Sequence, residues 1–256
     1  MGVTFITGAS SGIGRSLARR LAADGERVVA VARRKPLLDE LVEEIERAGG
    51  QAIALACDVT DRAAVREAVR QAEARFGPVS RLVAHAGGAP GANADGFRAA
   101  EVEAVVDLNL IGVANCIEAV LPGMLERRAG HLVAVSSLAG YRGLPGSAAY
   151  SAAKAGLTNM MESLRIDLRS SGVDVTLIAP GFVRTKPGKK KKKNRPLRLE
   201  LEPATQLMHR AILARKPYYA FPKSLVALVW LGRLLPAAVY DRMLEGRGPR
   251  PKQRRA

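Results

Sequence analysis

Short apolar runs alternate with amphipathic stretches along most of this 256-residue chain. The first run, Val3 to Thr7, ends in the glycine turn TGASSGIGR, and Leu17, Leu21 and Ala22 then recur at helical spacing, which predicts strand, turn and helix. The order repeats. ERVVAVARRK closes a second strand, followed by a helix over Leu37 to Ala48, a strand near Ile53 to Cys57, a helix over Asp61 to Phe76 and a strand over Val79 to Ala84. A long helical stretch runs from about Ala100 to Arg127, a strand from His131 to Ser136, a helix bearing Tyr150 to about Ser170, and a sixth strand from Val173 to Ala179. Ala204 to Ala214 reads as helix and Tyr218 to Phe221 as a seventh, edge strand. This alternation predicts an α/β fold, a doubly wound Rossmann-type parallel sheet of about seven strands with helices on both faces. The length suits one such domain, expected over residues 1–222.

Ligands of such sheets bind at the carboxyl ends of the strands, and polar or glycine-rich residues collect there in this chain. Gly8, Gly12 and Gly14 make a tight strand-to-helix turn that brings backbone N–H groups and a helix N-terminus against a pyrophosphate. About twenty residues further on, where an acid would bind ribose hydroxyls, stand Arg33 and Arg34, which suit a 2′-phosphate and so favour NADP over NAD. Asp58 ends the third strand, where it meets an adenine or caps a turn, and Ala86-Gly87-Gly88 after the fourth leaves room for a flat cofactor. Tyr150 and Lys154, four apart, share one helix face, and a fixed cation beside a phenol lowers its pKa toward the working range of a proton donor. The Ser137 hydroxyl can then hold a carbonyl oxygen against that phenol. Asn109, polar within an apolar section, either bonds neighbouring backbone or organises water near the site. His85, His131 and His209 are scattered and His85 reads as structural, so no metal site is expected. Cys57 and Cys116 lie in apolar surroundings without metal-like spacing and read as reduced core residues.

These motifs together resemble the short-chain dehydrogenase/reductase family, over roughly residues 3–185. TGASSGIG is similar to the family's cofactor loop, CDVTD carries Asp58, AHAG stands where the family usually has NNAG, and Asn109, Ser137, Tyr150 and Lys154 match its catalytic tetrad in order and spacing. PGFVRT, ending in Thr185, is similar to its nicotinamide-contacting segment. The resemblance implies that Tyr150 is the general acid in reduction, that Lys154 holds the nicotinamide ribose and lowers the Tyr150 pKa, that Ser137 positions the carbonyl, and that Asn109 supports a water relay. It also implies NADP(H) contacts from Gly8, Ser10, Ser11, Gly12, Ile13 and Gly14. Further contacts fall on Asp58, Val59, Ala86 and Gly87, and on Pro180, Gly181, Val183 and Thr185. A homodimer or homotetramer packed through the long helices is implied as well. His85 departs from the family pattern and alters packing there without removing a catalytic group.

The formal charge of +16 would suggest an anionic partner for the whole molecule, but residues 1–185 hold 21 Lys and Arg against 20 Asp and Glu, whereas residues 186–256 hold 19 against 4. Nucleic-acid binding has only this charge behind it and is not expected. Residues 186–203, with five consecutive lysines, read as a basic loop over the substrate, open to an acidic carrier or anionic lipid or simply solvated. Residues 223–244 are apolar but too short, and interrupted by Arg233 and Pro236, for a membrane span; they read as a helical extension packed on the same domain or on a partner subunit, or lying at a membrane interface. The tail after residue 244 reads as disordered. With no leader pattern, a cytoplasmic protein is expected, with peripheral membrane contact left open. Leu138, Leu144 and Phe182 together with Ser137 and Tyr150 are the expected substrate wall, which suits a largely apolar, lipid-like or acyl carbonyl or alcohol. The alternative is a non-catalytic NADP-binding sensor or scaffold that docks through its basic C-terminal quarter.

Overall fold

The computed structural model describes residues 2–88, 97–185 and 197–246. Its main sheet is built from β1 (Val3–Thr7), β2 (Arg27–Ala32), β3 (Gln51–Ala56), β4 (Arg81–Ala84), β5 (Gly130–Val135) and β6 (Val173–Pro180). A short pair, β7 (Val183–Arg184) with β8 (Leu199–Glu200), follows, and β9 (Tyr218–Phe221) completes the main sheet. The seven strands run in the order β3-β2-β1-β4-β5-β6-β9, every pairing parallel. Alternation within each strand divides its side chains between two cores. Phe5, Val29, Val31, Leu82, Leu132 and Leu177 enter one core, and Ile6, Val28, Ala30, Val83, Val133 and Ile178 the other.

Helices α1 (Gly12–Ala23), α2 (Lys35–Arg47) and α7 (Leu201–Leu213) cover the second face. The first is covered by α3 (Arg62–Phe76), α5 (Gly112–Glu126) and α6 (Ala148–Asp167), while α4 (Ala99–Val106), which precedes α5, packs on α6 through Val105, Ala149 and Ala153. This is the doubly wound α/β sheet that the pattern predicts. Three boundaries differ from expectation. The long helix is interrupted by a π-helical turn at Asp107–Ile111, an extra-residue device that periodicity alone does not reveal. The expected loop over residues 186–203 ends early: Leu199 donates its amide to the Phe182 carbonyl at 2.9 Å and pairs with Val183, and α7 begins at Leu201. Residues 186–196 of that loop, with the lysine run, and the tail beyond 246 lie outside the described residues. Finally, the C-terminal extension is two helices, α8 (Lys223–Leu234) and α9 (Ala237–Leu244), because Leu235 is extended before Pro236, whose ring disfavours helix at the preceding residue. The inner side of α8 packs on the domain through Leu225, Val226 and Val229.

The amino end of the sheet carries a buried polar chain. Arg81 pairs with Glu26 and donates from Nε to His131 Nδ1 at 3.2 Å, leaving His131 Nε2 to donate to Thr176 Oγ1 at 2.8 Å. Burial first, then the Arg81 and Arg215 cations, push the His131 pKa down to about 3. The unfolded chain takes up this proton near the ordinary value of 6.5 while the folded one refuses it, so stability falls as pH drops from 6.5 toward 3. The expected slope from this group is about 1.4 kcal/mol per pH unit at most. Urea unfolding of His131→Asn is expected to show lower stability at neutral pH but a shallower decline between pH 6.5 and 4 than the parent. An unchanged slope would remove His131 from the acid response.

Candidate active site

The sheet order reverses direction between β1 and β4, and the crevice opens at the carboxyl ends of those strands. Thr7, the last residue of β1, accepts the backbone amides of His85 and Ala86 on its hydroxyl at 3.0 and 2.9 Å, which ties the two strand ends together at the floor of the crevice. The chain then turns sharply into α1 through Gly8, with φ of +71°, and Gly12, with φ of +58°. Gly14 is required by closeness: a β-carbon there would lie 2.4 Å from the Gly8 carbonyl oxygen.

A cavity of about 410 Å³ lies over this turn, with Gly8, Ser10, Ser11, Gly12 and Ile13 on one wall. Arg33, Arg34, Asp58 and Val59 form the facing wall, and Ala86, Gly87 and Thr185 the end. Arg34 donates to the Ser10 and Ser11 hydroxyls at 2.8 and 3.0 Å, and Arg33 stands largely exposed, 3.7 Å from Asp58. Asp58 also accepts the Thr60 amide and hydroxyl, at 3.1 and 2.9 Å, so it caps its own turn. Two guanidinium groups, two hydroxyls and the N-terminus of α1 on one rim are a donor set for phosphate.

A second cavity, of about 230 Å³, adjoins the first and shares Ile13, His85, Gly87 and Thr185 with it. Its walls bring together Asn109, Ser137, Tyr150 and Lys154, with Pro180, Gly181 and Val183 closing the far side. Ser137 arrives from the end of β5, while Tyr150 and Lys154 come from the first two turns of α6, one above the other as the spacing demands. The Ser137 hydroxyl accepts the Ala139 amide at 3.2 Å and acts on the Tyr150 phenol to oppose the rise of its pKa. Asn109 is fully buried in the π-helical turn; its Nδ2 donates to the Gly88 and Val105 carbonyls at 2.8 and 2.9 Å and its Oδ1 accepts the Gly88 amide at 3.3 Å. Of the two readings open for Asn109, the hydrogen bonds here are to neighbouring backbone. Gly87 is packed so closely over it that a β-carbon would come within 2.7 Å of Asn109 Oδ1.

The electrostatics of the pair correct one expectation. Lys154 does not lower the Tyr150 pKa: burial raises it above 10.0, and the opposing effect is the hydrogen bond from Ser137. The reason lies in Lys154 itself, which is 3% exposed, sits 5.8 Å from the Tyr150 ring centroid and spends a proton on the Val135 carbonyl at 2.9 Å. Desolvation brings the Lys154 pKa down to about 8. The phenol is therefore held protonated at neutral pH, the form a general acid needs.

The expected substrate wall is also placed differently. Leu138 is buried in a cluster with Ala179 and Leu225, Phe182 packs against that cluster, and Leu144 is half-buried in the loop before α6. None of the three lines the catalytic cavity. Leu138 and Phe182 instead share an apolar cluster with Leu225, Val226 and Val229 of α8. Sequence reasoning passed over Thr7, whose place directly before Gly8 was the available signal, whereas His85, read there as structural, lines both cavities. The His85 ring packs under Gly8 and Gly14, its Nδ1 is buried without a partner among the described residues, and burial followed by the nearby Lys154 cation pushes its pKa down to about 4. It is a neutral wall shared by both cavities.

A family model described as short chain dehydrogenase matches residues 2–196. The chain belongs to the short-chain dehydrogenase family. An uncharacterized oxidoreductase of Myxococcus xanthus is 43% identical over 237 residues, covering 93% of this chain and 94% of that one. Among solved structures, a 3-ketoacyl-ACP reductase from Sinorhizobium meliloti superimposes with a TM-score of 0.76 at 31% identity, over 86% of this chain and 96% of its own. An actinorhodin polyketide ketoreductase variant solved with NADPH gives a TM-score of 0.70 at 36% identity, over 72% and 71% of the two chains. This protein is thus an oxidoreductase of the short-chain dehydrogenase type.

The buried ammonium of this short-chain dehydrogenase carries a stability signature. The unfolded chain keeps the Lys154 proton up to about 10.5 whereas the folded chain releases it near 8, so rising pH stabilises the fold across that window and, below it, the buried charge is a cost. Lys154→Met is expected to unfold at higher temperature than the parent near pH 7, a gain of about 1–3 kcal/mol, with the difference shrinking from pH 8 to 10. Thermal unfolding across that range measures it, and a less stable variant at pH 7 would sink the idea.

Proposed function

We propose that this protein uses NADP(H) to reduce the carbonyl of a largely apolar substrate, with Tyr150 as the proton donor. The observation that carries the reading is the convergence of Ser137, Tyr150, Lys154 and Asn109 on one cavity that is continuous with a second cavity rimmed by Arg33 and Arg34. The donor set at that rim fits the cofactor: no carboxylate follows β2, which excludes the usual ribose-hydroxyl acceptor, and Arg33, Arg34, Ser10 and Ser11 would hold a 2′-phosphate. The turn from Gly8 to Gly14 and the N-terminus of α1 would receive the pyrophosphate, and Gly181, Val183 and Thr185 the nicotinamide end. When bound, the dinucleotide supplies the hydride that the carbonyl carbon accepts.

The remaining work belongs to the chain. Ser137 and the Tyr150 phenol bind the carbonyl oxygen from one side, polarising it, and the phenol gives up its proton as negative charge develops there. Lys154, four residues along the same helix face and anchored on the Val135 carbonyl at the end of β5, would hold the nicotinamide ribose beside the phenol. Asn109 holds the Gly88 backbone and so fixes the cavity wall opposite Tyr150. An acyl or other lipid-like ketone is the favoured substrate class, supported by similarity to a 3-ketoacyl-ACP reductase.

Three measurements test this. NADPH consumption against a panel running from short polar ketones to long-chain and acyl-thioester ketones is expected to concentrate on the apolar end; silence across the panel with NADPH bound would reject the assignment. Tyr150→Phe is expected to lower turnover by about 10²–10⁴-fold while dinucleotide affinity holds. The double change Arg33→Ala, Arg34→Ala is expected to weaken NADPH by about 10–100-fold and leave NADH nearly unaffected, since charged hydrogen bonds to the 2′-phosphate are lost. Equal losses for both dinucleotides would show that the arginines read something other than that phosphate.

A further inference from the structure

Among the described residues, the pair α8–α9 is held on the domain from one side. Arg142, in the loop between Ser137 and Tyr150, donates to the Gly232 and Leu235 carbonyls at the end of α8 and lies 3.7 Å over the Tyr240 ring of α9. Tyr240 in turn donates to the Gly143 carbonyl at 2.8 Å, and Tyr141 meets Trp230 edge to face at 5.8 Å. Leu225, Val226 and Val229 fill the inner face. The outer face of α8 carries Leu228, Trp230, Leu231 and Leu234, which are 52%, 49%, 64% and 79% exposed, and α9 continues the surface with Val239 and Met243. These positions recur at helical spacing on one side, so this is a continuous apolar stripe rather than scattered exposed leucines.

We propose that this face docks on an anionic phospholipid surface. Charge complementarity selects that occupant. Exposed Lys223, Arg233 and Arg242 edge the helix pair against Asp241 and Glu245, and the ten residues that follow the described chain, 247–256, contain five basic and no acidic side chains. An apolar helix face bearing tryptophan and edged by cations gains twice at such a surface, through apolar insertion and through electrostatic attraction of its basic residues. A face intended for a second copy of this chain would instead bring two net-basic segments together, which repel. Because the inner side of α8 packs on Phe182 beside Gly181 of the catalytic cavity, docking here sets that cavity one helix away from lipid. The docking itself does not depend on the cofactor assignment.

Trp230 is the only tryptophan in the sequence, so its emission reports on this face alone. The full chain is mixed with phosphatidylcholine vesicles with and without phosphatidylserine. The expected result is a blue-shifted emission and co-sedimentation with the phosphatidylserine vesicles, weakened by salt, and reduced about 10-fold or more by Leu231→Glu with Leu234→Glu. Retained NADPH binding and an unchanged circular-dichroism spectrum show that the variant is folded. Absence of an emission shift with either vesicle would overturn the proposal. So would binding to anionic vesicles that the double variant keeps, since charge elsewhere would then suffice. An emission shift that follows protein concentration without vesicles, with a matching rise in sedimentation mass, would assign the face to a second copy and overturn it too.

Discussion

The Thr7 hydroxyl, accepting the amides of His85 and Ala86, fixes the geometry on which the site depends. It lies where the crossovers of the sheet part in opposite directions, and parallel strands alone leave their terminal amides without partners there. By satisfying two of them it holds the β4 end beside the glycine turn, which in turn lets His85 pack under Gly8 and Gly14. The two cavities share His85 and Gly87 at that floor, so the arginines at one end and Tyr150 at the other border one crevice that would hold a dinucleotide.

Around this floor the chain accepts costs that stability alone would not select. An ammonium is buried at Lys154, an imidazole nitrogen at His85 is buried without a partner among the described residues, and an asparagine is fully enclosed in a π-helical turn. Lys154 and His85 depart from the rule that interior polar groups are avoided or fully paired, Asn109 meets it through Gly88 and Val105, and all three line the same cavity. The large cores on either face of the sheet, which follow from simple strand alternation, supply the stability that tolerates them.

The helical extension changes what surrounds the catalytic cavity. Arg142 couples it to the loop between Ser137 and Tyr150, so the positions of α8 and of the catalytic helix are set together. Leu138 and Phe182 share an apolar cluster with α8. The apolar cluster behind the site is thereby packing between elements, while Asn109, Ser137, Tyr150 and Lys154 supply the polar groups of the cavity itself.

What the sequence by itself determined was local and periodic. Strand and helix order, the glycine turn, the i to i+4 relation of Tyr150 and Lys154, and the absence of an acid after β2 all follow from neighbours in the chain. The collection of Asn109, Ser137 and Tyr150 at one strand end was legible through the parallel α/β pattern, which sends every loop after a strand to the same edge. The tertiary structure alone decided burial and direction. Whether Lys154 shifts Tyr150 depends on how much water each loses and on where the ammonium spends its protons, and Val135 supplies that answer from another strand. The π-helical turn, the docking of Leu138 and Phe182 on α8, and the bare outer face of that helix likewise arise from packing between segments distant in sequence. Periodicity marks a side as apolar; only the assembled fold determines whether another element is there to cover it.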